Sequence, residues 1–509
     1  MRHALHGFAL VLLLPAAPAV IAAGDRESDV SVAQASRPVA LYQEAIRQAA
    51  AGEPDAAMRT LSEAIAAGFQ GDRALHNDPA LATLRERADW PALRADFEAR
   101  NAWLAVVDFK PRDGSPWTEY AAGWAALAED SAPTVERGAD PATVGHFGQM
   151  QAQRASLVGD YDYAHANYFG GIPKADAAAM DLTGLYPALP ALARLVDGRK
   201  VVMFNETHGH SNQRAANFLF VRELRKLGFT HLALETLAYD RATDHPCRSS
   251  VLADEQLHAR GYALKDTGYY TDDPVFGELV RMALAEGYTL VAYDHSFADP
   301  RSPQREQEQA RNIACVFEES PDARIVVIGG GAHISKAPDD RRPPGMMGLR
   351  LAAMLDTEPL AISNAVSKLE GFSPGPANQG YVTPAIDGGL AGQPYFADSR
   401  SGAITRRGYD RIAFIPVPEK RSADAGWLRL GGWRVPAPQV PLTCESAPCL
   451  LEARRVGEDP EAVPGDRCVI EAAGRSCQLF LAPGDYDVVL RSADSQRSAP
   501  ARLVVKRPG

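Results

Sequence analysis

The sequence predicts an α/β protein built around an open, mostly parallel sheet with helices on both faces. From Arg199 onward, short and continuously apolar segments alternate with amphipathic helical segments, and this alternation is typical of βαβ units. Glycine ends two of the helical segments, at Gly228 and Gly287, and Ser302 with Pro303 opens another. Because only about five strands are visible, an open doubly wound sheet is favoured over a closed barrel.

The predicted strands follow one another in a regular order. They read RKVVMFNE, HLALET, TLVAYDH, ARIVVIGGGAH and PLAISNAV. The helical segments between them read RAANFLFVRELRKLGF, DPVFGELVRMALAEGY, SPQREQEQARNIACVFEES and GMMGLRLAAMLD. Continuously apolar strands indicate that the sheet is buried on both faces. Because each connection joins two parallel strands through a helix, each crossover is expected to be right-handed.

The length of 509 residues indicates several domains, since one domain usually takes roughly 150 residues. Changes of pattern along the chain mark their boundaries. The predicted parts are a signal peptide at 1–23, a tetratricopeptide-like helical module at 37–105, a mixed connecting region at 106–197, the α/β domain at 198–435 and a small β-sandwich at 436–509.

The first residues have the pattern of a cleavable secretory signal. A basic start at Arg2 precedes an apolar run from Phe8 to Ile21, and the small residues Ala22 and Ala23 follow it. A membrane span needs about 20 apolar residues, and prolines interrupt this run, so no stable anchor is expected after cleavage. The pattern predicts a periplasmic or secreted protein.

The helical module is predicted because apolar residues recur three and four positions apart, which is the spacing of one face of a helix. A Gly-Glu-Pro turn at Gly52 splits the segment ALYQEAIRQAAAGEPDAAMRTLSEAIAAG into a helical hairpin. The following segment resembles the terminal unit of a tetratricopeptide-like array, and a simple amphipathic helical domain is the alternative. Such a module offers a surface on which a protein partner can dock.

The last part of the chain contains short β patterns separated by glycine, proline and aspartate turns. It also contains four of the six cysteines, which are Cys444, Cys449, Cys468 and Cys477. In an exported chain these are expected to form disulfides, and their spacing lacks the tight C-x2-C knuckle of zinc sites. The segment CVIEAAGRSCQLFL is predicted to be a hairpin closed by Cys468 and Cys477. A stabilising or surface-binding role is expected for this module.

Composition narrows the range of partners. The net charge is −11, and neither a basic run nor a basic patch interleaved with aromatic residues occurs, so a nucleic-acid partner is disfavoured. A hydrophobic fraction of 46% is ample for a globular core. A small molecule or a peptide is the expected substrate.

Carboxylates and imidazoles stand at the ends of the predicted strands. Sites in open parallel sheets form beyond the carboxyl ends of the strands, so these side chains are expected to meet in one place. They are Glu206, His208 and His210 after the first strand, Glu235 after the second, Asp294 and His295 after the third, and His333 after the triple glycine of the fourth.

These residue types suit two kinds of chemistry. A neutral imidazole can take a proton from water, and a carboxylate on its other nitrogen fixes the tautomer. Alternatively, Glu206, His208 and His333 can hold a divalent metal ion with open positions, and the spacing does not choose between the two. Arg305 and Glu306 open the next helix, where Arg305 either stabilises an oxyanion or belongs to a solvated charged face.

The polar insert at 238–271 follows the second strand and is predicted to cover the site. Tyr262, Tyr269 and Tyr270 are expected to form a lid, whereas His245 and His258 are expected at the surface. The sequence contains no G-x-S-x-G elbow, no H-E-x-x-H helix and no phosphate-binding glycine loop. Oriented water is therefore the expected nucleophile.

The order of these motifs resembles the erythromycin esterase-like and ChaN-like superfamily, with its TraB and Tiki relatives. The resemblance covers about residues 198–370. The matching residues are Glu206 and His208 after the first strand, Glu235 after the second, Arg305 with Glu306 at the helix start, and Gly330, Gly331, Ala332 and His333 at the end of the fourth strand. Asn205 stands where the family usually has glycine.

The resemblance implies a hydrolase, and it raises the expectation that Arg305 belongs to the site. Because the family also contains metal-dependent proteases and a haem-binding iron-uptake protein, three hypotheses stay open. The first is hydrolysis of an ester or amide by water that His and Glu residues or a divalent metal activate. The second is haem or metal binding without hydrolysis. The third is an interaction scaffold that acts through its helical and β modules.

Overall fold

The structure, a computed structural model, describes most of the chain after the predicted signal peptide. It covers residues 36–507 except 102, 105–116, 118–119, 122–131, 168–181, 236, 238–254, 295–303, 341–342, 356, 368–391, 400–401, 404 and 417–419. The predicted signal peptide at 1–23 and the predicted residues His245 and His295 therefore lie outside the described residues. Within the described ranges, no helix is long and apolar enough to cross a membrane.

Among the residues that the structure describes, nine strands form one sheet at the centre of the molecule. In chain order its strands are β1 (Leu182–Pro187), β2 (Val201–Glu206), β3 (His231–Leu234), β4 (Thr289–Ala292), β5 (Ile325–Gly330), β6 (Leu360–Ser367), β7 (Tyr395–Ser399), β8 (Gly402–Ala403) and β9 (Arg411–Pro416). The spatial order is β1-β7-β9-β6-β2-β5-β3-β4, with β8 beside β7. The strands from β9 to β4 in this order are parallel, and β1, β7 and β8 add an antiparallel edge.

Between β2 and β6 the helices alternate with the strands as the sequence pattern predicts, and the other helices come before β2. In chain order they are α1 (Arg37–Ala50), α2 (Pro54–Ala66), α3 (Asp72–Asn77), α4 (Ala82–Arg85), α5 (Trp90–Arg100), α6 (Pro141–Leu157), α7 (Tyr161–Asn167), α8 (Ala188–Leu195), α9 (Ser211–Lys226), α10 (Glu255–Arg260), α11 (Pro274–Ala285), α12 (Arg305–Glu319) and α13 (Met347–Met354).

The sheet separates two hydrophobic cores because successive side chains of a strand point to opposite faces. In β2, Val202 and Phe204 pack with α8, α9 and α11, whereas Val201 and Met203 pack with α12 and α13. All of these β2 side chains are fully buried. The prediction of a mostly parallel sheet with helices on both faces is confirmed.

The sequence pattern does not predict β1, β7 or β9. β1 reads LTGLYP, and strands usually avoid its glycine and proline, although an edge strand tolerates proline. β9 is apolar, but a stretch rich in glycine and proline precedes it and interrupts the alternation of strands and helices. Since β1 pairs with β7, the sheet begins before residue 198, where the α/β domain is predicted to start.

The N-terminal helices form the predicted hairpin. α1 and α2 are joined across Gly52, whose φ of 78° is a conformation that glycine adopts without strain. Leu61 and Ile65 of α2 pack with Phe97 of α5 in one hydrophobic core. The likeness to tetratricopeptide repeats stays a prediction.

Two antiparallel sheets form the C-terminal module and share one core. Its strands are β10 (Val435–Pro436), β11 (Cys449–Arg455), β12 (Asp466–Ile470), β13 (Phe480–Leu481), β14 (Gly484–Arg491) and β15 (Ala501–Val505). Disulfides join Cys444 to Cys449 and Cys468 to Cys477. The predicted hairpin between the last two cysteines is wrong, because β12 pairs with β11 and β13 pairs with β10. The Cys468–Cys477 disulfide instead closes the loop that leads from one sheet to the other.

Candidate functional site

The predicted site residues lie where adjacent parallel strands end. In the pairing of β2 with β5, Glu206 lies beside Gly330. Glu235 directly follows β3, and its backbone N–H donates to the carbonyl oxygen of Ile328 in β5 at 3.1 Å. The contacts described below join Glu206 to His208, and they join Glu235, Asp294, Arg305, Glu306 and His333 into a second group. Gly330 lies between the two groups.

His208 is held on two sides. Its Nδ1 atom lies 3.1 Å from Glu206 Oε1, and its ring stacks on Tyr270 with the centroids 4.1 Å apart and the planes at 17°. A carboxylate at Nδ1 keeps the proton on that nitrogen and leaves Nε2 as the proton acceptor. The side chain is 13% exposed.

Glu206 is a buried carboxylate whose charge a buried arginine balances. Arg214, in the first turn of α9, donates from Nε and Nη2 to Glu206 at 3.2 and 3.1 Å. Burial alone would raise the pKa of Glu206, but Arg214 and His208 outweigh it and lower the pKa to about 2. Arg214 Nη1 also lies 3.1 Å from Asp273 Oδ2, so one guanidinium serves two buried carboxylates.

His333 lies between two carboxylates. Its Nδ1 atom is 2.9 Å from the carboxylate oxygens of Glu306, and its Nε2 atom is 3.6 Å from Glu235 Oε1. Burial lowers the pKa of His333, but Glu235 and Glu306 outweigh that effect, so the pKa is raised above the usual histidine value. Glu306 also accepts from the backbone N–H of Met347 at 2.9 Å, which fixes its position.

Arg305 is paired with carboxylates and is not part of a solvated charged face. Its side chain is 14% exposed, and its Nη2 atom donates to Glu235 at 3.0 Å. Its Nε and Nη2 atoms also donate to the two oxygens of Asp294. Burial raises the pKa of Asp294, and Arg305 more than compensates, so the pKa is lowered and the carboxylate stays charged. The remaining Glu235 oxygen accepts the backbone N–H of Gly330.

His210 belongs to a different contact. Its ring is buried and packs edge-on against His165 of α7, with centroids 5.3 Å apart and the planes at 67°. Burial lowers the pKa of His210 to about 4, so the ring is neutral at physiological pH. The structure therefore gives His210 a packing environment, whereas His208 faces the carboxylates.

Of the three tyrosines predicted to form a lid in the insert at 238–271, two lie beside the site. Tyr270 covers His208, and Tyr269 packs edge-on against Tyr270. Tyr262 instead accepts the backbone N–H of Asp459, in the C-terminal module, at 2.9 Å. The surface position predicted for His258 is wrong: it is half-buried, and its Nε2 accepts the backbone N–H of Leu290 in β4 at 3.2 Å.

The sequence pattern does not identify Arg214 or Asp273. Both are fully buried, and Asp273 caps α11 by accepting the backbone N–H groups of Val275 and Phe276. The sequence does contain a sign that Arg214 is buried, because this arginine directly precedes the apolar stretch AANFLF in the same helix. A buried arginine needs a partner of opposite charge. The partner itself comes from a distant segment, which spacing does not reveal.

Gly330 lets His208 approach Glu235. A Cβ atom on Gly330 would lie 2.6 Å from His208 Nε2 and 3.1 Å from Glu235 Oε2, whereas one on Gly331 would meet nothing within 4 Å. We therefore expect Gly330→Ala to displace the ring and to lower kcat by about 100-fold, as a shift near 1 Å does in other sites. Gly331→Ala is the matched control. Equal activity of the two variants would contradict this placement of His208.

The donors at the strand ends do not fit a divalent metal ion. Both oxygens of Glu206 accept from Arg214, and Glu235 is bonded to Arg305 and to Gly330. A guanidinium group, that of Arg214 or of Arg305, therefore already occupies each of these carboxylates where a cation would bind. Among the residues that the structure describes, no group of three or more His, Cys, Asp or Glu side chains is placed to hold a metal.

Haem does not fit these residues either. An axial histidine needs a clear Nε2 atom and room for a flat macrocycle beside it. Here Nε2 of His208 lies against Gly330, and Tyr270 stacks on a face of the ring. The neighbouring Tyr269 packs edge-on against Tyr270. No step is therefore assigned to either group.

No protein-family model and no curated protein matches the chain. Among solved structures, the type III effector HopBA1 is 15% identical, with a TM-score of 0.24, 46% of this chain covered and 99% of the effector covered. RRSP, a MARTX toxin effector domain from Vibrio vulnificus CMCP6, is 18% identical, with a TM-score of 0.22, 58% of this chain covered and 53% of the toxin chain covered.

A third similar structure is the C-terminal region of Pasteurella multocida toxin, which has a thiol-protease-like catalytic triad. It is 11% identical, with a TM-score of 0.23, and the match covers 86% of this chain and 70% of the toxin chain. This chain spans about half the length of RRSP. At these TM-scores the similarity assigns neither a shared fold nor a shared activity.

Proposed function

We propose that this protein is an exported hydrolase of an ester or amide bond that activates water with histidines and carboxylates. The observation that carries the proposal is the paired arrangement of His208 and His333. Each imidazole has a buried carboxylate at Nδ1, and both approach Glu235 at one sheet edge. Two imidazoles with different surroundings are suited to act as base and acid in one reaction.

The proposed first step uses His208 as general base. Its Nε2 atom takes a proton from water, and the water oxygen bonds to the carbonyl carbon of the substrate. The carbonyl electron pair moves onto oxygen and forms a tetrahedral oxyanion. Glu206, whose pKa is about 2, stays ionised throughout and stabilises the imidazolium that forms.

The proposed second step uses His333 as general acid. The electron pair of the oxyanion re-forms the carbonyl double bond as the bond from carbon to the leaving oxygen or nitrogen breaks. The electron pair of the broken bond stays on the leaving atom. Protonated His333 donates a proton to that atom, which leaves as alcohol or amine beside the carboxylic acid. A proton then passes from His208 to His333 through solvent and restores the starting state. The raised pKa of His333 suits a group that must hold a proton near neutral pH.

Arg305 is assigned to the oxyanion through its remaining N–H groups. Its bonds to Asp294 and Glu235 use Nε and Nη2, and the N–H groups of Nη1 are the ones assigned to the substrate oxygen. The carboxylates fix the plane of the guanidinium before substrate binds. A preorganised donor of this kind stabilises developing charge without reorganisation.

We further propose membership of the erythromycin esterase-like and ChaN-like superfamily, because the motif order at the strand ends resembles it. Export is supported by the signal-like N-terminal sequence and by the two C-terminal disulfides. The helical module is proposed to be tetratricopeptide-like and to dock a protein partner, and the C-terminal module is proposed to be a β-sandwich.

The test is hydrolysis of nitrophenyl esters and aminoacyl anilides by the mature protein, with and without EDTA. Turnover that EDTA leaves unchanged is the expected result. Activity that is lost with EDTA and restored by Zn²⁺ would assign the reaction to a bound metal instead. No hydrolysis of any substrate in the panel would overturn the proposed function.

The pH profile tests the role of His333. Glu235 and Glu306 raise the pKa of His333, so kcat/KM is expected to fall at high pH as the general acid loses its proton. Glu306→Gln removes one of these charges, so the alkaline limb should move to lower pH by about one unit. Glu319→Gln, at the exposed end of the same helix, is the control. An alkaline limb that stays in place in Glu306→Gln would contradict this role.

A further inference from the structure

The segment at 263–277 holds His208 from two directions. Tyr270 stacks on the imidazole ring, and Asp273 pairs with Arg214, which in turn binds Glu206. Ser211 also donates to Asp273 Oδ2 at 2.7 Å. The position of this segment therefore sets both the plane of the His208 ring and its orienting carboxylate.

The C-terminal module binds this segment through a buried ion pair. Arg467 of β12 donates from Nη2 to Asp272 Oδ1 at 2.6 Å, and the two side chains are 3% and 7% exposed. The same guanidinium donates from Nη1 to the carbonyl oxygen of Leu157, at the end of α6, at 2.6 Å. Tyr270 and Asp273 are the two residues of the segment that contact the site. Thr271 and Asp272 lie between them in the sequence.

Backbone contacts extend the same attachment. The N–H of Val463 donates to the carbonyl oxygen of Ala263 at 2.9 Å, and the N–H of Lys265 donates to that of Glu461 at 3.1 Å. A Cβ atom on Gly277 would lie 2.6 Å from Val463 Cγ1, so the two elements pack as closely as glycine allows. The module is thus joined to both ends of the segment as well as to its middle.

We propose that the C-terminal module is a positioning part of the active site, in which Arg467 and Asp272 hold the segment that orients His208 and Glu206. This goes beyond the stabilising or surface-binding role expected of the module, and it rests on the proposed hydrolase function. Arg467 and Asp272 touch no reacting atom, so they are positioning residues. Without Arg467, a buried carboxylate would lose its partner, and the turn around Asp272 would have to move toward water.

The test compares Arg467→Met with Arg421→Met in the full chain. Arg421 is a matched control, because it forms a buried pair with Asp466 of the same strand at 2.8 Å and lies outside the segment. We expect Arg467→Met to lower kcat by about 10- to 100-fold with KM nearly unchanged, and Arg421→Met to change kcat by less than about threefold. Arg467→Lys should recover part of kcat, since an ammonium group reaches one oxygen of Asp272 but lacks the planar fork of arginine.

A second measurement does not depend on turnover. The nuclear Overhauser contact between the His208 and Tyr270 rings should be lost in Arg467→Met and kept in Arg421→Met. If the wild-type protein hydrolyses nothing, this contact still decides whether the module positions His208. Asp272→Asn, which keeps the shape of the side chain, replaces Arg467→Met if that variant does not fold. A kept ring contact together with an unchanged kcat in the Arg467 or Asp272 variant would overturn the proposal.

Discussion

Replacement of His333 by alanine is expected to lower kcat by about 100- to 10 000-fold and to leave the fold intact. The reason is the position of the ring, which contacts Glu306 at Nδ1 and faces Glu235 at Nε2. General acids typically contribute a factor of this size. The measurement is kcat on the best ester of the panel, with far-ultraviolet circular dichroism to verify the fold.

His231→Ala is the matched control for this variant. Like His333, His231 is largely buried, but it lies within the central sheet at the amino end of β3, where its Nδ1 atom contacts Thr230 Oγ1 at 2.8 Å. Its kcat is expected to stay within a few-fold of wild type. Unchanged hydrolysis in His333→Ala would remove His333 from the mechanism, and an equal loss in both variants would point to a structural effect.

Arg214→Met is expected to destabilise the α/β domain by about 3–5 kcal/mol. The substitution leaves the carboxylates of Glu206 and Asp273 buried without their cation, and loss of one partner of a buried pair typically costs this much. Urea denaturation followed by circular dichroism measures the change in the free energy of unfolding. Activity should fall as well, because Glu206 then no longer holds His208 in place.

Arg222→Met is the control on the same helix. Arg222 pairs with Glu286 at 3.1 Å, but its side chain is 37% exposed, and such pairs contribute about 1 kcal/mol or less. A loss in Arg214→Met no larger than in this control would mean that the buried network around Glu206 contributes little to stability.

Local patterns predict the parallel core because each of its signals lies within one segment. β2 to β6 are mostly apolar, and the helices between them show regular apolar spacing. The carboxyl ends of parallel strands lie at the same edge of the sheet. This rule predicts that Glu206, Glu235 and His333 lie close together even when the strand order is not known. The edge strand β1 is not predicted, because its glycine and proline are unusual in strands and because its partner β7 is distant in sequence.

The contacts within the site follow less easily from the sequence. Arg305 could be assigned to the site by family resemblance, but its pairing with both Asp294 and Glu235 depends on how α12 packs. Asp273 and Arg467 have no local pattern that points to the site. Each acts through a partner from another segment, so only the three-dimensional structure reveals the connection.

The pairing of β1 with β7 determines the order in which the sheet can be completed. Tyr186 and Asp398 contact each other across 212 residues, so one edge of the sheet must wait until most of the chain has been synthesised. Such long loop closures slow folding, and until β7 has been synthesised β1 lacks the strand with which it pairs, so its edge is exposed to other chains. A recombinant fragment that starts at residue 198 would lack β1 altogether. Expression of the α/β domain should therefore start upstream of Leu182.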